Sequence, residues 1–107
     1  KTLSIKKITH IKKIVIIKKG ILEKKSPLLH YITREVVIDS TPKLDYINPN
    51  THQIKGSIYL TKSCSADPCD ECVFFLNTPK RRFKFKDTSK RAFVWVKTIN
   101  DTIKMYS

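Results

Sequence analysis

The chain has 107 residues, 40% of them apolar, which suffices for one domain with a modest core and not for two. Its 22 Lys and Arg against nine acids give a formal charge of +13, so the natural partner is an anion: nucleic acid, an acidic protein face or an anionic membrane. The absence of any run of about 18 apolar residues excludes a transmembrane helix, and the apolar stretch 14–17 is short and has no small-residue cleavage site behind it, unlike a signal peptide.

The first residue is lysine, so the chain is expected to be excised from, or processed out of, a longer protein. Residues 1–13 are set apart as an N-terminal extension, with short helix, added strand and disordered tail all open, and 14–107 as the domain. Lysine pairs recur at 6–7, 12–13, 18–19 and 24–25. A six-residue step is about 240° of helical rotation, so they make no stripe and no amphipathic membrane helix.

Residues 13–22 (KIVIIKKGIL) are rich in β-branched side chains and read as the first strand, with Gly20 a place for a bend or bulge. After Ser26-Pro27, residues 33–39 (TREVVID) form a second, with Val36 and Ile38 on one face and Val37 on the other. Residues 43–60 read as a hairpin giving the third and fourth strands: Leu44 and Tyr46 on one side, Ile54 and Ile58 on the other, Asn48-Pro49-Asn50 at the turn. Residues 62–71 read as a loop, followed by strands at 72–76 and 81–86. In the latter, Phe83 and Phe85 alternate with Arg82, Lys84 and Lys86, a strand with one face in the core and one in water. These make six strands, and a seventh is to be sought near the cysteines. At Asp87 the period changes. Thr88 or Ser89 is expected to cap a helix whose stripe is Ala92, Trp95, Val96, Ile99 and Ile103. That stripe closes the open end of a curled sheet, with Trp95 as the plug.

Charge is unevenly placed. Residues 1–25 carry nine lysines and one acid, and residues 80–97 carry eight basic residues around Asp87, while Asp67, Asp70 and Glu71 gather in one loop. A domain so polarised can orient at an anionic surface. Cys64, Cys69 and Cys72 include one CxxC, half of the commonest zinc pattern. A second CxxC is absent, so the thiols are read as reduced, with no metal, and their odd number fits a reducing, cytoplasmic compartment. With only Gly20 and Gly56 there is no glycine-rich phosphate loop. A kinase catalytic loop and a nucleophile–base–acid set are also missing, so no enzymatic activity and no cofactor are expected of this chain.

Four segments together carry a resemblance: residues 17–49, IKGSI at 54–58, FFLNTPKRRFKFKD at 74–87, and Trp95. Over about residues 14–104 the chain resembles a pleckstrin homology domain, most closely those of phosphoinositide-dependent protein kinases. The resemblance implies a mainly β fold, a seven-stranded bent sandwich or barrel capped by one C-terminal helix. It also implies a non-catalytic, membrane-targeting module that reads phosphoinositide head groups, 3-phosphorylated ones preferred, with any kinase domain of the parent outside this chain.

Chemically, a phosphorylated inositol ring needs convergent Lys and Arg donors. Lys24 and Lys25 end the first strand and Arg34 opens the second, so they can meet across the intervening loop. By resemblance, Lys24 and Arg34 are phosphate ligands, Tyr46 assists through its hydroxyl, and Lys55 and Arg81 line the same pocket. Where the family carries an arginine cluster, this chain has His30-Tyr31-Ile32-Thr33 before Arg34, so an expected ligand is missing. A protonated His30 is the nearest substitute but, as a lone histidine, a disfavoured one. The expected partner is a phosphoinositide-bearing membrane, reached from the cytoplasm by a monomer. A protein partner stays open. The alternative, a basic β-domain binding protein or RNA, would use Tyr31, Phe93 and Tyr106 as exposed aromatics and is disfavoured for nucleic acid.

Overall fold

A computed structural model describes residues 13–107; the expected extension 1–13 lies, apart from Lys13, outside the described residues. Seven strands form one antiparallel sheet: β1 (Ile16–Lys25), β2 (Tyr31–Asp39), β3 (Lys43–Ile47), β4 (Ile54–Tyr59), β5 (Ser65–Pro68), β6 (Val73–Asn77) and β7 (Arg82–Lys86), followed by helix α1 (Ala92–Tyr106). Their order is β4-β3-β2-β1-β7-β6-β5, so among the described residues the sheet is not closed and β4 and β5 are its edges. Among the described residues no helix is long and apolar enough to cross a membrane.

β1 sits at the centre of the sheet and shapes it. It pairs with β2 along its whole length but with β7 only at Glu23 and Lys24, opposite Lys86 and Phe85. The two halves of the sheet therefore join only at the C-terminal end of β1 and bend round a shared core. Into that core point Leu22, Val36, Ile38, Leu44, Ile58, Phe74, Leu76 and Phe85. The period-two pattern places them there: Leu22 faces Arg34, Val36 faces Tyr46, and Leu44 faces Ile58 across the ladder.

Three details differ from the sequence reading. The bulge in β1 falls at Ile17, between Ile16 and Lys18, and not at Gly20, which stays in register with Val36. Gly20 instead makes room for the Trp95 ring: a Cβ there would stand 3.0 Å from Trp95 Cζ2, closer than ordinary contact. The stretch 62–71 is not all loop, for β5 lies within it, between Cys64 and Cys69. With one buried residue, Ala66, and Ser, Asp and Pro around it, β5 has little strand propensity. It is a strand because β6 pairs with it and because Asn100 of α1 bonds both the Ala66 N–H (2.9 Å) and its C=O (3.0 Å). Finally, neither Thr88 nor Ser89 caps α1. The Ser89 N–H and hydroxyl both donate to Asp87 Oδ1, the N-cap residue is Arg91, and the Ala92 N–H finds the Glu71 C=O at 3.0 Å.

The helix stripe is as the spacing predicts. Ala92, Trp95, Ile99 and Ile103 are buried, and Trp95 stacks on Phe74 with ring centroids 6.4 Å apart. The indole Nε1–H donates to the buried Asp87 carboxylate at 2.9 Å, satisfying both polar groups inside the core.

Candidate anion-binding site

Alternation along β1 puts Lys18, Gly20, Leu22 and Lys24 on the inner face. Lys24 is the last of these, at the rim where the two halves of the sheet join. Its ammonium lies 4.7 Å from the centroid of the Tyr46 ring and 5.5 Å from that of Phe83. Those rings are 6.5 Å apart, so Lys24 bridges them with its stem packed and its charge held up. Tyr46 is set in place by the β3–β4 pairing, in which it faces Gly56; any Cβ at Gly56 would collide with the tyrosine hydroxyl and ring. The glycine is what lets the ring lie across β4 toward Lys24.

Arg81 enters from the β6–β7 turn. Thr78 closes that turn: its N–H and hydroxyl both donate to the Arg81 C=O, at 2.9 and 2.8 Å, and its Oγ1 accepts from the Arg81 N–H at 3.1 Å. The Arg81 guanidinium then stacks on the Phe83 ring at 4.2 Å. Arg34, opposite Leu22 on the inner face of β2, donates from Nη1 to the Thr33 C=O at 3.1 Å. Burial first, and then the charges of Arg81 and Arg34, hold the Lys24 pKa below the ordinary lysine value. Among the described residues none of the three forms an ion pair; the three that exist join Lys43 to Asp45, Lys90 to Glu71 and Lys97 to Asp101. The three cations thus concentrate positive charge at this rim.

Of the residues singled out in the sequence, Lys24, Arg34, Tyr46 and Arg81 come together. Lys25 does not join them: it lies on the outer face of β1, facing Tyr31, with its ammonium 5.9 Å from the Tyr31 ring and Lys86 5.6 Å from the same ring. Lys55 is exposed and occupies the bulge where Tyr46 faces Gly56 and Ile47 faces Ile54; among the described residues it has no ion pair or cation–π contact. By its alternation Phe83 is a core residue. It is buried, yet it is the plate on which both Lys24 and Arg81 rest, a role hidden because its alternation with Phe85 is what a core strand shows anyway.

The outer face carries its own cations, Arg82 at 3.7 Å and Lys84 at 5.7 Å over Phe75. Here an acid is near. Asp70 accepts backbone N–H bonds from Cys72 and Val73, both 2.8 Å, and these, with the charges of Lys84 and Lys86, hold its carboxyl below the usual range. The aromatics proposed for RNA do not form a platform: Tyr31 is flanked by lysines, and Phe93 and Tyr106 stand 13 residues, about 20 Å, apart along α1. Cys69 is exposed, Cys72 half-buried and Cys64 buried, with β5 between Cys64 and the CxxC.

A bent antiparallel sheet capped by a C-terminal helix, with cations gathered at the mouth of its first hairpin, defines a class of non-catalytic domain. The chain belongs to the pleckstrin homology domain family, whose model matches residues 5–107. It is 34% identical over 74 residues to 3-phosphoinositide-dependent protein kinase 1 of Caenorhabditis elegans, covering 69% of this chain and 12% of the kinase. It is 32% identical over 79 residues to 3-phosphoinositide-dependent protein kinase B of Dictyostelium discoideum, covering 74% of the chain and 9% of the kinase. The chain thus spans about a tenth of the length of these relatives. Among solved structures, the C-terminal pleckstrin homology domain of pleckstrin in complex with an inositol pentakisphosphate superposes with a TM-score of 0.74. That match has 25% identity and covers 82% of this chain and 98% of the other.

Proposed function

We propose that this domain recruits its parent protein from the cytoplasm to membranes by binding phosphoinositide head groups, 3-phosphorylated ones preferred. The observation that carries this reading is the convergence of Lys24, Arg34 and Arg81 without an acidic partner. Lys24 and the two guanidinium groups act as the phosphate donors, the fork of each arginine holding two oxygens. The Tyr46 hydroxyl hydrogen-bonds the bound ring, and Lys55, on its bulge, adds charge from the rim. Similarity to 3-phosphoinositide-dependent kinases supports the 3-phosphate preference and a kinase domain elsewhere in the parent. Lys25 contributes to general attraction toward an anionic surface.

Vesicle flotation at physiological salt tests the reading. Vesicles carrying each phosphorylated phosphatidylinositol in turn are compared with phosphatidylserine vesicles of matched charge. The domain is expected to float with 3-phosphorylated lipids above the phosphatidylserine level, and Arg34→Ala to lose that excess. Equal flotation with phosphatidylserine at matched charge would refute head-group reading.

A further inference from the structure

Two Ser/Thr-Pro pairs stand in the turns that frame the cation site, and a third lies elsewhere: Ser26-Pro27 opens the β1–β2 turn, Thr78-Pro79 the β6–β7 turn, and Thr41-Pro42 follows β2. A proline in the next position holds a serine or threonine extended, the feature that proline-directed protein kinases read. The three hydroxyls differ in their surroundings. Thr78 Oγ1 is consumed within its own turn, donating to the Arg81 C=O and accepting the Arg81 N–H. Thr41 sits beside an acid, its N–H donating to Asp39 Oδ1 at 2.9 Å. Ser26 Oγ accepts the Leu28 N–H at 3.2 Å, and among the described residues its O–H has no acceptor. The turn that Ser26 opens stands clear of the domain, with Leu28 and Leu29 80% and 79% exposed.

Ser26 also lines a groove of about 400 Å³ together with Lys25, Arg81, Arg82 and Lys84, and no acid lines it. Among the described residues none of these four cations has an ion pair, and of the four only Lys84 acts on Asp70. A phosphoserine carries about −1.5 to −2 charges at neutral pH and three acceptor oxygens, and opposite an arginine cluster it gains about one to three charge-assisted hydrogen bonds. One of its oxygens can keep the Leu28 N–H, so the turn survives the modification. Arg81 belongs to two places at once: it lines this groove, and it stacks on Phe83 with its charge acting on Lys24. Resting on the phosphoinositide reading above, we propose that Ser26 is a phosphorylation site whose phosphate seats in this groove on Arg81, Arg82 and Lys84, taking Arg81 from the head-group site and switching membrane binding off. A proline-directed kinase transfers the γ-phosphoryl group of ATP to Ser26 Oγ. The bond from the γ-phosphorus to the oxygen bridging it to the β-phosphate breaks, ADP leaves, and the hydroxyl proton passes to the kinase's general base. Hydrolysis by a phosphatase restores the serine and releases Arg81.

Three measurements test the site, the seat and the switch. Incubation of the folded domain with MgATP and a proline-directed kinase should add one phosphoryl group, mapped by mass spectrometry to Ser26 and absent from Ser26→Ala; no addition, or addition at Thr41 or Thr78 in its place, would overturn the site. With Ser26 phosphorylated during synthesis, phosphorus NMR should give a second phosphate pKa below its ordinary value of about 6, and Arg82→Gln with Lys84→Gln should bring it back. A value of about 6 without those substitutions would put the phosphate in solvent and overturn the seat. Calorimetric titration with a soluble inositol polyphosphate should show an affinity about tenfold or more below that of the unmodified domain, recovered after phosphatase treatment. Phosphorylated Ser107 is the control for net charge: it is exposed beyond the end of α1, next to Tyr106, which lines a groove with Ile14 at the opposite end of β1 from Ser26. Its affinity should stay within about twofold, and an equal fall in both phosphorylated forms would overturn the switch. Failure of the unmodified domain to bind the inositol polyphosphate would overturn the head-group reading and with it the switch, while the kinase and phosphorus NMR measurements would still decide the site and the seat.

Discussion

Replacing Lys24 by methionine separates what this residue does for binding from what it does for folding. The stem lies between Tyr46 and Phe83, and methionine keeps most of that packing while removing the charge. In the free domain two effects oppose each other. The cation–π contacts are lost, a cost of about 0.5–1 kcal/mol at a half-exposed site, and the repulsion from Arg81 and Arg34 that depresses the Lys24 pKa is relieved. The net change should stay within about 1 kcal/mol, a Tm shift of no more than about 4–8 °C. Binding has no such compensation. One charge-assisted contact is worth about 1.5–3 kcal/mol, so head-group affinity should fall about tenfold or more. Calorimetric titration with a soluble inositol polyphosphate, alongside thermal melting, checks both halves. Unchanged affinity with Tm intact would show that the convergent cations are not the binding site.

The depressed Lys24 pKa sets the sign of a pH effect. The folded state releases this proton before the unfolded chain does, so Lys24 makes stability rise as pH climbs from its folded pKa toward the ordinary lysine value. Head-group affinity should fall through the same window, and NMR titration of the Lys24 side chain should show its pKa raised by bound anion. Gly56→Ala should cost about 1–3 kcal/mol in denaturant unfolding and weaken head-group binding, because Tyr46 must swing off β4 and leave Lys24; a silent substitution would remove the tyrosine from the site. Trp95→Phe leaves Asp87 Oδ2 without its indole donor in a buried setting. It should destabilise by about 2–3 kcal/mol with head-group affinity per folded molecule unchanged, since Trp95 is in the core and distant in role from Lys24.

Most of the architecture was legible because it rests on local periodicity. Val36 and Ile38, Phe83 and Phe85, and the Ala92-Trp95-Ile99-Ile103 stripe each announce their element in the order of residues. β5 was legible only as a seventh strand to be sought near the cysteines, without bounds, because a four-residue edge strand with one buried side chain has no period to show, and its pairing comes from β6 and Asn100. The helix start was misplaced for a related reason. Thr88 and Ser89 have the right chemistry for a cap, but Asp87 engages Ser89, and the Glu71 C=O arrives from a turn twenty-one residues upstream of Ala92.

By itself the sequence determined the charge, the character of the strands that show a period, the closing helix, and the cations from which a candidate anion site is drawn. Tertiary structure decided which of those residues share a face. Lys24 and Lys25 are neighbours in the chain, yet strand alternation sends one inward onto Tyr46 and Phe83 and the other outward onto Tyr31. Arg81 is far from both in sequence and reaches Lys24 because β7 pairs with β1 only at Glu23 and Lys24. A linear pattern records which groups can hold phosphate; only the register of strands distant in sequence brings their charges close enough to act on one ligand.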